Sequence, residues 1–120
     1  MQHEGVTKKV IGVCFEVINE LGGEVLESVY QKALVLALRQ AGLQAVEQER
    51  LEVIFRGENV GVFYADLIVD SKVLVEVKAV QALRPEHQAQ VINYLKATGF
   101  DVGLLVNFGK PKLEVKRLHR

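Results

Sequence analysis

The stretch Tyr64–Val80, YADLIVDSKVLVEVKAV, constrains the fold of this chain more than any other. Two runs of branched apolar residues, Val62–Val69 and Val73–Val80, flank Asp70-Ser71-Lys72, which is turn chemistry, and the pattern predicts a β-hairpin. With those three residues as the loop, Val69 faces Val73, Asp66 faces Glu76 and Tyr64 faces Lys78. Cross-strand partners share a face, as do residues two apart, so Asp66, Glu76 and Lys78 project together. The opposite face then carries Ala65, Leu67, Val69, Val73, Val75, Val77 and Ala79, all of them apolar. A strand pair this hydrophobic belongs in the middle of a sheet covered on both sides. Two carboxylates facing each other there repel unless a cation or a proton joins them.

The flanking segments supply the covering layers. Val6, Val10, Val13, Cys14, Val17, Ile18 and Leu21 recur at helical spacing, which predicts a helix over Gly5–Leu21 stopped by Gly22-Gly23. A second helix is predicted over Glu24–Gln40, with Gly42 behind it. Gln44–Phe55 alternates as a strand, and Arg56-Gly57-Glu58-Asn59 reads as a turn into the central hairpin. Pro85 opens a third helix running to Thr98, because its missing N–H costs nothing in a first turn. Phe100–Asn107 is a nearly all-apolar strand, and Leu113–Leu118 is an edge strand or ordered tail. The order is α-α-β-β-β-α-β with an optional last strand. This predicts an α/β fold: a small mixed sheet flanked by helices on both faces, in a single domain over residues 1–120.

No apolar run approaches the roughly 20 residues needed to span a bilayer, and the polar start is no signal peptide, so the expected location is cytoplasmic without membrane association. A lone cysteine, Cys14, excludes an internal disulfide and a Cys-based zinc site, and its helical position marks a buried small residue. Formal charge is zero yet unevenly spread: residues 1–60 hold nine acids and six bases, residues 61–120 six acids and nine bases. Lys110, Lys112, Lys116, Arg117 and Arg120 form a basic end that either holds phosphates or merely aids solubility.

Asp66-x9-Glu76-x-Lys78 is the spacing of a metal-dependent phosphodiesterase site. Two carboxylates on adjacent strands can share a hard cation such as Mg²⁺, and the Val77 carbonyl can add a third oxygen. Such an ion polarises a scissile phosphate, while a lysine on the same face orients water or offsets developing charge. The competing reading is a buried-edge salt bridge between Glu76 and Lys78. His87, Gln90 and Tyr94 share one stripe of the third helix and either face the site or form ordinary helix surface. Glu27, in the first turn of its helix, is either a favourable charge at a helix N-terminus or an extra acid reaching the metal.

Taken together, these motifs resemble the GxxExxY protein family, within the RecB-like branch of the PD-(D/E)xK nuclease superfamily. The resemblance is carried by Leu21-Gly22, Leu26-Glu27-Ser28-Val29-Tyr30, Tyr64-Ala65-Asp66-Leu67, Val75–Val80, His87–Lys96 and Gly103–Gly109. Ala65 stands where the superfamily's first motif has its proline, and Glu24 where the family has a glycine. The resemblance implies a restriction-endonuclease-like core, with Asp66, Glu76 and Glu27 on the metal and Lys78 as catalytic lysine. Gln90 and Tyr94 resemble the Q-x-x-x-Y motif. His87, Lys110 and Lys112 are further candidates for nucleic-acid contact.

The expected function is a Mg²⁺-dependent nuclease, with Mn²⁺ as substitute ion and DNA as the expected nucleic acid. The alternatives are a nucleic-acid-binding or assembly module that keeps the fold without catalysis, and a homodimeric structural protein joined through its apolar hairpin and first helix.

Overall fold

A computed structural model describes residues 2–120 of the chain. Its elements are α1 (Glu4–Leu21), α2 (Glu27–Gln40), β1 (Ala45–Phe55), β2 (Glu58–Val69), β3 (Val73–Lys78), α3 (Pro85–Thr98), β4 (Val102–Asn107) and β5 (Glu114–His119). The five strands form one sheet in sequence order. β3 and β4 run parallel, joined by the α3 crossover, and every other neighbouring pair is antiparallel. This is the mixed sheet expected from the element order, and the optional last strand is present as an edge strand.

The alternation of β3 and β4 divides two cores. Val73, Val75, Val77, Leu104 and Val106 pack with Leu67 and Val69 under α1 and α2. Leu74, Leu105 and Ile68 pack under Val91 and Leu95 of α3. Helix α3 approaches closely because Gly103 lies beneath it, where a Cβ would come 2.9 Å from Val91. The hairpin strands over Leu67–Val69 and Val73–Val77 are therefore interior to the sheet and covered on both faces.

Two local expectations are corrected. The second helix begins at Glu27 rather than Glu24, whose φ of 61° is left-handed. Tyr30 anchors this turn: its hydroxyl donates to the Gly22 carbonyl at 2.6 Å and accepts from Val25 N–H at 3.3 Å. Its buried ring stacks on Phe108 at 4.8 Å. The other correction concerns the facing of β2. The hairpin pairs Val69 with Val73 and Leu67 with Val75 as expected, but the ladder ends there. Gln48, across from Asp66 on β1, has φ 53°, an uncommon conformation for a residue with a side chain. Beyond this point the strand reverses its facing. Ala65 packs in the α3 core and Phe63 lies against it, leaving Tyr64 exposed rather than opposite Lys78.

The exit of β3 is held by β4 and the loop after it. Asn107, fully buried, accepts from Val80 and Gly109 N–H at 3.0 and 2.9 Å. Its amide donates to the Val80 carbonyl and to Glu114, both at 2.9 Å. Phe108 N–H donates to the Lys78 carbonyl at 2.8 Å. Gly109 is required by this approach, since a Cβ there would sit 2.3 Å from the Val80 backbone. Gly109→Ala is thus expected to destabilise the chain by about 2–3 kcal/mol, an overpacking cost with no flexible neighbour to yield. Gly12→Ala, with nothing within 4 Å in an exposed turn of α1, should instead stabilise by roughly 0.5–1 kcal/mol. Urea unfolding of both variants checks the opposite signs.

Candidate active site

The site gathers where β2 and β3 part. Past Leu67 the two backbones no longer pair, and the Asp66 side chain fills the gap: its Oδ2 accepts from Val77 N–H at 2.9 Å. Its Oδ1 accepts from Gln48 Nε2 at 3.3 Å. A side chain has taken over a ladder bond, and this both fixes the Asp66 rotamer and opens the strands at the carboxylates.

Glu76 lies in the middle of β3, where its neighbours on the strand are buried valines. It is 8% exposed, and its Oε1 is buried with no hydrogen-bond partner among the described residues. Burial first, and the adjacent Asp66 carboxylate second, push its carboxyl up to about 9, while the Lys78 charge opposes weakly. A carboxyl in this setting is either protonated or compensated by a cation that arrives from outside.

Lys78 is half-buried at the end of β3, with its backbone paired to Asn107 on β4. Among the described residues no carboxylate lies within 4.0 Å of its ammonium, so the Glu76–Lys78 salt bridge of the competing reading is not formed.

Helix α3 walls the site. Tyr94 stacks on Phe63 with ring centroids 3.9 Å apart and an interplanar angle of 12°. Its hydroxyl accepts from Gln90 Nε2 at 2.9 Å. Burial, followed by the charges of Glu76 and Asp66, raises the Tyr94 phenol above its ordinary value. His87 serves the helix start, its Nδ1 accepting from Arg84 N–H at 3.0 Å. The proton of the neutral ring therefore sits on Nε2. Val80, Gln81, Ala82, Arg84 and His87 line a cavity of about 550 Å³ beside the β3 exit.

The remaining candidates lie further out. Glu27 reaches the same strand exit from α2, its Oε1 accepting from Ala79 N–H at 3.2 Å. Among the described residues no three His, Cys, Asp or Glu side chains converge as a metal-holding group, so Glu27 does not close on Asp66 and Glu76 here. Lys110 pairs with Glu114 at 3.8 Å, and Lys112 is exposed with no ion-pair partner among the described residues.

Four participants escaped sequence reasoning. Phe63 was hidden by the reversal of β2, and nothing in the local pattern marks Gln48 as left-handed. Asn107 and Gly109 left a signal, a polar residue closing an all-apolar run and a glycine just beyond it. Their target, the β3 exit, becomes evident only in three dimensions.

Glu76 also generates a pH dependence. Its folded value near 9 lies above the ordinary 4.5, so between these pH values the folded chain keeps a proton that the unfolded chain releases. Stability from this group is complete below the lower value and declines as pH rises toward the upper one. Glu76→Gln removes that decline. At about pH 8 and without divalent metal, the variant is expected to be more stable than wild type by on the order of 1–3 kcal/mol, a gain that shrinks toward pH 5. Urea unfolding at the two pH values checks it.

No curated protein sequence matches the chain significantly. The solved structure titled "Crystal structure of SSO0001" is similar in fold, with a TM-score of 0.58 at 17% identity. The match covers 99% of this chain and 60% of that one, so this chain spans about three-fifths of that chain's length. The mixed sheet flanked by three helices is thus a restriction-endonuclease-like fold. No helix among the described residues is long and apolar enough to cross a membrane. The family model described as "PD-(D/E)XK nuclease superfamily" matches residues 4–118, and the chain belongs to that superfamily.

Proposed function

We propose that the chain, read as one domain in a cytoplasmic setting, is a divalent-metal-dependent nuclease that hydrolyses phosphodiester bonds in DNA. The RecB-like branch and the GxxExxY family remain the best finer assignment, on the motifs quoted above. The observation that carries the reading is the buried, unpartnered Oε1 of Glu76 beside the Asp66 carboxylate. An all-oxygen donor set of two carboxylates suits a hard cation, Mg²⁺ with Mn²⁺ as substitute. Asp66 and Glu76 would hold it, with Glu27 as a third acid if its bond to Ala79 is exchanged. Such an ion supplies Lewis acidity toward a phosphate oxygen.

The chain's own residues divide the remaining work. Asp66, held by Val77 N–H and Gln48, keeps one carboxyl group fixed in orientation. Lys78, with no carboxylate partner within 4.0 Å among the described residues, is free to position water and to offset charge developing on the phosphoryl oxygens. Gln90 and Tyr94 present a bonded amide–phenol pair to the nucleic-acid backbone, and the Nε2–H of His87 offers a further donor beside the strand exit. Lys110 and Lys112 would add phosphate contacts at the periphery.

One observation favours a second reading, a binding or assembly module without catalysis. Among the described residues no third acid joins Asp66 and Glu76. Cleavage assays separate the two. With Mg²⁺ or Mn²⁺, wild type is expected to cut a panel of single-stranded, duplex and branched DNA. Asp66→Asn and Lys78→Ala should lower the rate by about 100-fold or more with unchanged circular dichroism. Salt-dependent binding without cleavage by wild type, and unaltered in Asp66→Asn, would establish the second reading instead.

A further inference from the structure

The β1–β2 ribbon extends well beyond the sheet. β2 pairs with β3 only over Leu67–Val69, so from Glu58 to Asp66 the strand it pairs with is β1 alone. At about 3.3 Å per residue this is an arm of roughly 25 Å, and the molecule is correspondingly elongated, 46 × 31 × 26 Å. Ribbons of two strands are marginally stable in water unless a face is packed. Here Leu51 and Phe63 pack against the α3 core, but Ile54, Phe55, Val60, Val62 and Tyr64 are 42–60% exposed. Phe55, next to Ile54 on the strand, points to the other face, and the remaining four present roughly 300 Å² of apolar surface, over a third of the roughly 800 Å² per partner that a standard interface buries.

We propose that this arm is a self-association surface that docks against the same arm of a second copy of the chain. Charge argues against nucleic acid as the occupant. From Glu49 to Tyr64 the arm carries Arg50 and Arg56 against Glu49, Glu52 and Glu58, whereas phosphate binding needs an excess of cations. The same charges suit a two-fold. Arg50 lies opposite Tyr64 and Glu52 opposite Val62, and the two charged groups are bonded at 2.7 Å. A two-fold axis lays such a patch on itself in reverse order, bringing Arg50 of each copy toward Glu52 of the other with Val62 and Tyr64 between them. On the outer edge of β1, the register shift between Val53 and Ile54 and the left-handed Gln48 disrupt the backbone pattern that strand addition would need.

The inference does not depend on the nuclease reading, and its test needs no substrate. Analytical ultracentrifugation of the full chain at about 100 µM is expected to give the mass of two 13.4 kDa copies, with dissociation on dilution. Val62→Glu should give a single copy with unchanged circular dichroism. Val62→Cys supplies a readout that survives a folding defect in the first variant. Cys14 is fully buried with its thiol pushed up to about 12 and stays inert. Mild oxidation of Val62→Cys should therefore yield a covalent dimer, and Ser28→Cys, exposed on α2, should not. A wild type of one copy at every concentration overturns the proposal. So does a dimer that Val62→Glu leaves intact and Val62→Cys fails to crosslink. A monomeric wild type whose duplex binding is lost in Val62→Glu would assign the arm to nucleic acid and overturn it equally.

Discussion

A carboxyl group buried without a partner dictates much of this molecule. Glu76 stands in β3, where packing on both faces leaves room only for apolar side chains, and its Oε1 finds no donor among the described residues. Holding it there costs stability that an apolar residue would not. A fold bears such a cost where the group has work to do, because pKa values shifted this far cluster at functional positions. The neighbours fit that interpretation. Asp66 spends one oxygen on Val77 N–H and another on Gln48, Lys78 has no ion-pair partner among the described residues, and the charges of both acids help raise the Tyr94 phenol.

Around this group the chain invests in the exit of β3. Two segments grip Lys78, Ala79 and Val80, one at the start of α2 and the other the run Asn107–Gly109. Glu27 comes from α2, Asn107 from the end of β4, Phe108 from the turn beyond it, and Gly109 permits the contact by lacking a side chain. Tyr30 links this grip to the α1–α2 turn through its stack on Phe108 and its bond to Gly22. The Leu26–Tyr30 motif thereby has a structural content apart from any contact with metal: Glu27 bonds the exit of the strand that carries Lys78, and Tyr30 supports that exit through Phe108. Positioning of this kind matters because a catalytic lysine displaced by an ångström loses much of its effect.

The helices were legible because apolar residues at 3.6-residue spacing admit little else, and α3 was bounded correctly by Pro85 and Gly99. The mixed character of the sheet followed from a helix joining β3 to β4. Register was legible from Val69 to Leu67, where alternation and turn chemistry agree, and was lost at Asp66. Periodicity assumes that backbone bonds to backbone, whereas the Asp66 carboxylate captures the Val77 N–H and Gln48 adopts a left-handed twist. That exchange turned Phe63 inward and Tyr64 outward, against the pattern of two. The start of α2 was misread for a related reason. Glu24 is a reasonable helix former locally, but Tyr30 holds the preceding turn from across the core. Asp66, Glu76 and Lys78 were recognisable as out-of-place charges. What they touch depends on β1, β4 and α3, which local patterns do not encode.

The central claim is that Glu76 is protonated in the metal-free chain and would release its proton to solvent on binding a divalent cation together with Asp66. Titration calorimetry with Mn²⁺ near pH 7, repeated in two buffers of different ionisation enthalpy, counts that proton directly. The account predicts saturable binding with release of about one proton per ion, abolished in Asp66→Asn. Binding with no proton released, or no binding by wild type, would contradict it.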